Sequence, residues 1–116
     1  MAFADVEGAL ADAVTDRVAD CIGLALERAY EAAGTDPGKV GYLEAHGSAV
    51  PREDAAESSA LVLFFGKGGG RDLPAALSSL APVIGRVGAA SGLASLVKTA
   101  LALYQQILPP LDLQEA

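Results

Sequence analysis

His46 is the only histidine in this 116-residue chain, and it follows an apolar, aromatic stretch, Val40-Gly41-Tyr42-Leu43-Glu44-Ala45. That stretch reads as a strand, and Gly47 and Ser48 then turn the chain into a polar loop holding Pro51, Arg52, Glu53 and Asp54. In α/β sheets, ligands and reacting groups gather outside the carboxyl ends of strands. Imidazole changes its charge within the physiological pH range, so at such a place it can donate, accept or shuttle a proton. The plainer alternative is a ring that caps the loop or satisfies a buried polar group.

Two further features invite a chemical reading. Cys21 is the only cysteine, and a nucleophilic thiol needs an exposed, electropositive setting. It falls on the apolar stripe of a predicted helix, so it is expected in the core. The segment Gly66-Lys67-Gly68-Gly69-Gly70-Arg71-Asp72 is rich in glycine and holds a lysine. It lacks the Gly-x-x-x-x-Gly-Lys-Ser/Thr spacing that cradles phosphates, and it reads as a surface loop.

The elements that must position these residues follow from periodicity. Leu10, Val14, Val18, Cys21, Ile22, Leu26 and Tyr30 recur at spacings of three and four from Asp5 to about Gly34, which predicts a long helix with one apolar face. Gly34 stops it, and Thr35-Asp36-Pro37-Gly38 is a turn by composition. A strand over Lys39–Ala45 follows, then a helix over Glu53–Phe65 with acidic residues in its first turn, where the helix dipole favours them. Leu73–Leu80 is a second predicted strand, broken by Pro82 and Gly85, and a third helix runs from about Val87 to Gln106. Helix, strand, helix, strand, helix, with a short strand at the end, is an α/β pattern, and no repeat or long linker divides residues 1–116.

The third helix carries a physical demand. Gly88 to Tyr104 holds one charge, Lys98, in seventeen residues. A helix apolar all round has to be buried all round, and two other helices with a small sheet cannot wrap it. Each leucine or valine left in water forgoes about 1.5–3 kcal/mol, so a second layer from outside this chain is expected.

Composition narrows the function classes. The chain is 52% hydrophobic but only 5% aromatic, so its packing rests on small residues laid close together. Its net charge of −7 is uneven: through Ser58 there are four basic and twelve acidic residues, and beyond it four basic and three acidic. No basic stripe supports nucleic-acid binding. A single cysteine fits a reducing cytoplasm, no signal-peptide pattern is present, and no uncharged run reaches the ~18 residues of a membrane span.

The chemical residues sit inside a recognisable series of motifs. Tyr42-Leu43-Glu44-Ala45-His46-Gly47-Ser48, with Asp54 and Glu57 beyond it, resembles the β-ketoacyl synthase segment Glu-Ala-His-Gly-Thr-Gly-Thr and its later Gly-Asp-Pro-x-Glu. Ala76 to Arg86 resembles the Gly-Ser-Val-Lys-Ser-Asn-Ile-Gly-His stretch of those enzymes. Gly88 to Leu103 resembles the following Ala-Ala-Gly-x-x-x-x-Ile-Lys helix, and Ile107-Leu108-Pro109-Pro110-Leu111 its Ile-Pro-Pro exit. The match spans about residues 20–111, and the third helix and tail also resemble ketosynthase regions of polyunsaturated-fatty-acid and polyketide synthases.

This resemblance implies the carboxyl-terminal half of a thiolase-like fold, in which two βαβ-rich halves form a five-layered sandwich and the third helix lies between the sheets. It implies decarboxylative Claisen condensation in fatty-acid or polyketide assembly, with an acyl carrier protein as partner. The nucleophilic cysteine comes from the amino-terminal half and two histidines from this one. His46 occupies the first histidine position, and Arg86 stands at the second. Ala81 holds the family lysine position and Val83 the asparagine position. No cofactor or metal is implied. Arginine donates hydrogen bonds but is no base, so condensation by this chain alone is not expected. Three readings follow: a structural or chain-length-factor-like part, half of an active enzyme completed by another chain, or a stand-alone interaction module. Without an amino-terminal half, the apolar helix is expected to meet a copy of itself in a two-fold dimer.

Overall fold

The computed structural model describes residues 3–66, 75–85 and 87–109. These fold as two compact units. One is built from α1 (Phe3–Ala33), a 3-10 turn (Pro37–Lys39) and α2 (Pro51–Gly66); the other from β1 (Tyr42–Ala45), β2 (Ala76–Ser79), a one-turn α3 (Ala81–Ile84), a second 3-10 turn (Gly88–Ala90) and α4 (Ser91–Gln105).

In the helical unit, α1 ends as its sequence demands. Gly34 takes φ +60°, Thr35 N–H donates to the Tyr30 carbonyl at 3.2 Å, and Gly34 N–H donates to that of Glu31 at 3.1 Å. This Schellman pair satisfies carbonyls that the helix end would otherwise orphan. The 3-10 turn forms because Asp36 Oδ1 accepts the Gly38 amide at 2.8 Å, an Asx turn that competes with extended backbone. It takes Lys39 out of the strand, so β1 begins at Tyr42, later than Lys39. Pro51 opens α2 with its φ already helical, and Glu53 and Asp54 occupy its first turn.

Ala56 and Ala60, four residues apart on α2, are buried, as is Phe65. Small side chains at this spacing let helix backbones approach closely. Tyr30 of α1 and Phe64 and Phe65 of α2 form an aromatic cluster with centroids 4.9–5.7 Å apart, so the carboxyl ends of the two helices lie together. At about 1.5 Å per residue α2 is roughly 24 Å long and α1 roughly 46 Å, and α2 cannot cover the whole stripe of α1. Ile22, Leu26 and Tyr30 are half-buried, whereas Leu10, Val14 and Val18 are exposed. Cys21 is exposed as well, correcting the expectation that it belongs to the core: Ala19, Ile22, Gly23 and Leu26 at the same level of α1 are half-buried, and Cys21, about 100° round the helix from Ile22, falls outside the side they share.

In the α/β unit, β1 and β2 pair in parallel, with Tyr42 opposite Ala76, Leu43 opposite Leu77, Glu44 opposite Ser78 and Ala45 opposite Ser79. β2 is shorter than the sequence suggests at its carboxyl end because Leu80 already caps α3; residues 73 and 74 lie outside the described residues. The predicted third helix, expected from about Val87, starts later, and a one-turn α3 occupies the predicted break before it. Gly85 (φ +73°) ends α3 and Gly88 (φ +59°) opens the second 3-10 turn, so regular helix starts only at Ser91. Residues 107–109 form no strand, and the rest of the expected terminal strand lies outside the described residues.

No residue of α4 is buried. Leu93 is 68% exposed, Leu96 64% and Tyr104 87%. The demand that the sequence places on this helix is therefore not met by the described part of the chain. Among the described residues no helix is long and apolar enough to cross a membrane.

Candidate functional site

Two parallel strands that stop in register deliver their exits to the same end of the sheet. His46 leaves β1 one residue beyond the Ala45–Ser79 pair, and Leu80 and Ala81 leave β2 beside it. A cleft of about 480 Å³ opens there, lined by Ala45, His46 and Ser48 from the first exit, by Leu80, Ala81, Ile84 and Gly85 from the second, and by Val87, Gly88 and the first turns of α4 (Ser91, Gly92 and Ser95), with Glu44 also contributing to its wall. Glycine, serine and alanine dominate this lining, and their small side chains keep the space open. His46 is exposed and Ser48 is buried.

The residues behind the cleft form a closed polar network. Glu44 and Ser78 are register partners on adjacent strands. Lys98 of α4 donates to Glu44 Oε1 at 3.1 Å, to Glu44 Oε2 at 2.9 Å and to Ser78 Oγ at 2.7 Å. Tyr42 Oη donates to Glu44 Oε2 at 2.6 Å. The Glu44 side chain is only 7% exposed and that of Lys98 18%. A charge so placed is tolerable only when paired and hydrogen-bonded, and here the ammonium ties both strands to α4. In the sequence this shows only as one carboxylate between Leu43 and Ala45 and one lysine in an otherwise apolar helix, with nothing local to say that the two meet.

A second latch lies at the strand exits. Ser79 Oγ donates to the His46 carbonyl at 3.1 Å and accepts the Ala81 amide at 3.3 Å. Gly47 adopts φ +55°, and a methyl group on its Cα would lie 2.4 Å from Ser79 Oγ and 2.8 Å from Ser79 Cβ. Glycine is required there both by the left-handed backbone and by the closeness of the serine.

Of the residues expected at the site, the structure places His46 and Ala81 in one cleft. Val83 is 71% exposed and is not among the residues lining it. Arg86 lies outside the described residues; its neighbours Gly85 and Val87 both line the cleft. Cys21 belongs to α1, in the helical unit. Among the described residues no group of three or more potential ligands is disposed to hold a metal ion.

A parallel α/β module with an imidazole at its strand exits places that residue at the sheet's carboxyl edge, where ligands gather in α/β folds. The profile of the family described as "Beta-ketoacyl synthase, C-terminal domain" matches residues 5–112, and the chain belongs to that family. Its α/β architecture is accordingly part of a thiolase-like domain. Relatives include 5-methyl-1-naphthoate synthase of Streptomyces sahachiroi, 44% identical over 73% of this chain and 5% of that protein. Mellein synthase of Phaeosphaeria nodorum is 39% identical over 75% of this chain and 5% of its own length. The highly reducing polyketide synthase alnA of Emericella nidulans is 40% identical over 78% of this chain and 4% of its own length. The chain thus spans about 5% or less of these relatives. No solved structure gives a significant match.

Proposed function

We propose that residues 1–116 are a single ketosynthase carboxyl-terminal-like domain, incomplete relative to a whole condensing enzyme, that serves a polyketide assembly line as a structural or acyl-chain-shaping part and does not catalyse alone. The relatives' names favour polyketide over fatty-acid assembly. The observation that carries the reading is the content of the strand-end cleft: His46 is displayed in it, while Ala81, at the family's lysine position, contributes only a methyl group.

Condensation in this family joins a malonyl-derived unit to an acyl group held as a thioester on cysteine. Carbon dioxide leaves, and the resulting enolate attacks the acyl carbonyl and expels the thiolate. Charge develops on the enolate oxygen, and a preorganised donor such as the His46 N–H would stabilise it there. Arginine, which stands at the second histidine position as Arg86, is a hydrogen-bond donor but cannot accept a proton. The cleft's described lining offers no thiol to carry the acyl group. Either an amino-terminal ketosynthase half or a second copy of this chain covers α4, an acyl carrier protein delivers the substrate, and the setting is cytoplasmic.

The exposure of His46 favours a second reading, in which another chain supplies the cysteine and the pair condenses. Malonyl- and acyl-thioesters are supplied to the chain alone and to the chain with an amino-terminal ketosynthase half, and decarboxylation and acylated protein are followed by mass spectrometry. The proposal expects neither reaction in either mixture. Turnover by the mixture that His46→Ala abolishes would establish the second reading, and turnover by the chain alone would overturn both.

A further inference from the structure

We propose that Ser79 is a positioning residue for His46, holding the imidazole-bearing residue at the strand exit through its hydroxyl and through contact with Gly47. The inference rests on the reading of His46 as the imidazole of the site, and it names what fixes that residue in place.

The ladder between β1 and β2 ends at the Ala45–Ser79 pair, and His46 is the first residue beyond it. The Ser79 side chain takes over where the ladder stops. Its hydroxyl donates to the His46 carbonyl at 3.1 Å and accepts the Ala81 amide at 3.3 Å, joining the two exits that flank the cleft. On the other side of His46, Gly47 turns at φ +55° with no room for a methyl group against Ser79. One serine thus restrains the chain at His46 and immediately after it. Side-chain to backbone hydrogen bonds of this kind fix loop geometry where regular pairing fails. A catalytic imidazole needs such support, because small misplacements of a reacting group cost large factors in rate.

Ser78 supplies the control. It is buried on the same strand, yet its hydroxyl accepts from Lys98 and it pairs with Glu44. Removing it perturbs the fold behind the cleft and leaves the His46 carbonyl its partner.

The chain's single histidine makes the test specific. With the imidazole nitrogens labelled with 15N, every side-chain signal in a two-bond correlation spectrum reports on His46. Ser79→Ala is expected to shift the signals and to broaden or split them, as the exit samples more than one geometry. Ser78→Ala is expected to lower the thermal midpoint while leaving the imidazole spectrum as in the wild type. Ser79→Thr, which retains the hydroxyl, should preserve the wild-type pattern, and the near-isosteric Ser79→Val should reproduce the Ser79→Ala change. If Ser79→Ala does not fold, the Thr and Val variants decide. An unchanged spectrum in Ser79→Val, or an equal change in Ser78→Ala, overturns the proposal. Because this readout needs no turnover, it stands apart from the role of His46 in condensation. That role fails separately if His46→Ala leaves a reconstituted or parent condensing enzyme at full activity.

Discussion

Lys98 Nζ lies 2.9 Å from Glu44 Oε2 and 2.7 Å from Ser78 Oγ, so one ammonium on α4 holds together two strands that share only four register pairs. Among the described residues of this unit no hydrophobic side chain is fully buried, and this contact ties the sheet to the helix.

Breaking that pair from one side is expected to be severe. Lys98→Met leaves a carboxylate that is 7% exposed without its counter-charge, and comparable losses destabilise by about 3–5 kcal/mol. Urea unfolding should show this fall for Lys98→Met, and Lys98→Met combined with Glu44→Leu should recover most of it. A double variant no more stable than the single one would count against the ion pair as the cause.

Gln106 ends α4 in the left-handed region at φ +56°, with its amide donating to the Leu103 carbonyl at 3.2 Å and Ile107 N–H donating to Ala102 at 3.0 Å. The same motif at the end of α1 uses Gly34. A non-glycine residue in that conformation costs about 1–2 kcal/mol, part of which glycine's greater freedom in the unfolded chain takes back. Gln106→Gly is therefore expected to stabilise by about 0.5–1 kcal/mol, read as a higher urea midpoint with an unchanged slope.

Ala60 is 2% exposed on the buried side of α2. Ala60→Leu adds three carbon atoms where there is no space, and overpacking of this kind costs about 1–3 kcal/mol. The thermal midpoint should drop, whereas the exposed Val62 should tolerate the change Val62→Ala with little effect.

Cys21 is exposed on α1. It should react with a disulfide reagent in the folded chain without added denaturant, and urea should accelerate the reaction only slightly. Protection that is released only on unfolding would restore the core assignment that the structure removes.

The sequence disclosed the elements well and their coverage poorly. Apolar spacing from Leu10 to Tyr30 and the stop at Gly34 define α1 almost to the residue, because both are local properties. Whether Cys21 is covered depends on which side of α1 meets a neighbour, and Cys21 lies to one side of the half-buried line through Ala19, Ile22 and Leu26; apolar spacing alone does not show where along a broad stripe the partner packs. The third helix shows the reverse case: its lack of polar residues announced a missing layer, and no residue of α4 is buried. At the site, the Glu-Ala-His-Gly motif brought out His46 at once. Ser79 and Lys98 stayed hidden, since their roles depend on strand register and on which turn of α4 faces the sheet.

The two-stranded parallel sheet has a consequence for handling the protein. Among the described residues each strand has one neighbour, so the outward edge of β1 and that of β2 both present backbone N–H and C=O groups that no ladder uses. Parallel strands are ordinarily enclosed on all sides, and bare edges act as templates for pairing with other chains. In the isolated chain these edges should nucleate concentration-dependent association, which charged or proline substitutions along β2 would suppress without touching α4.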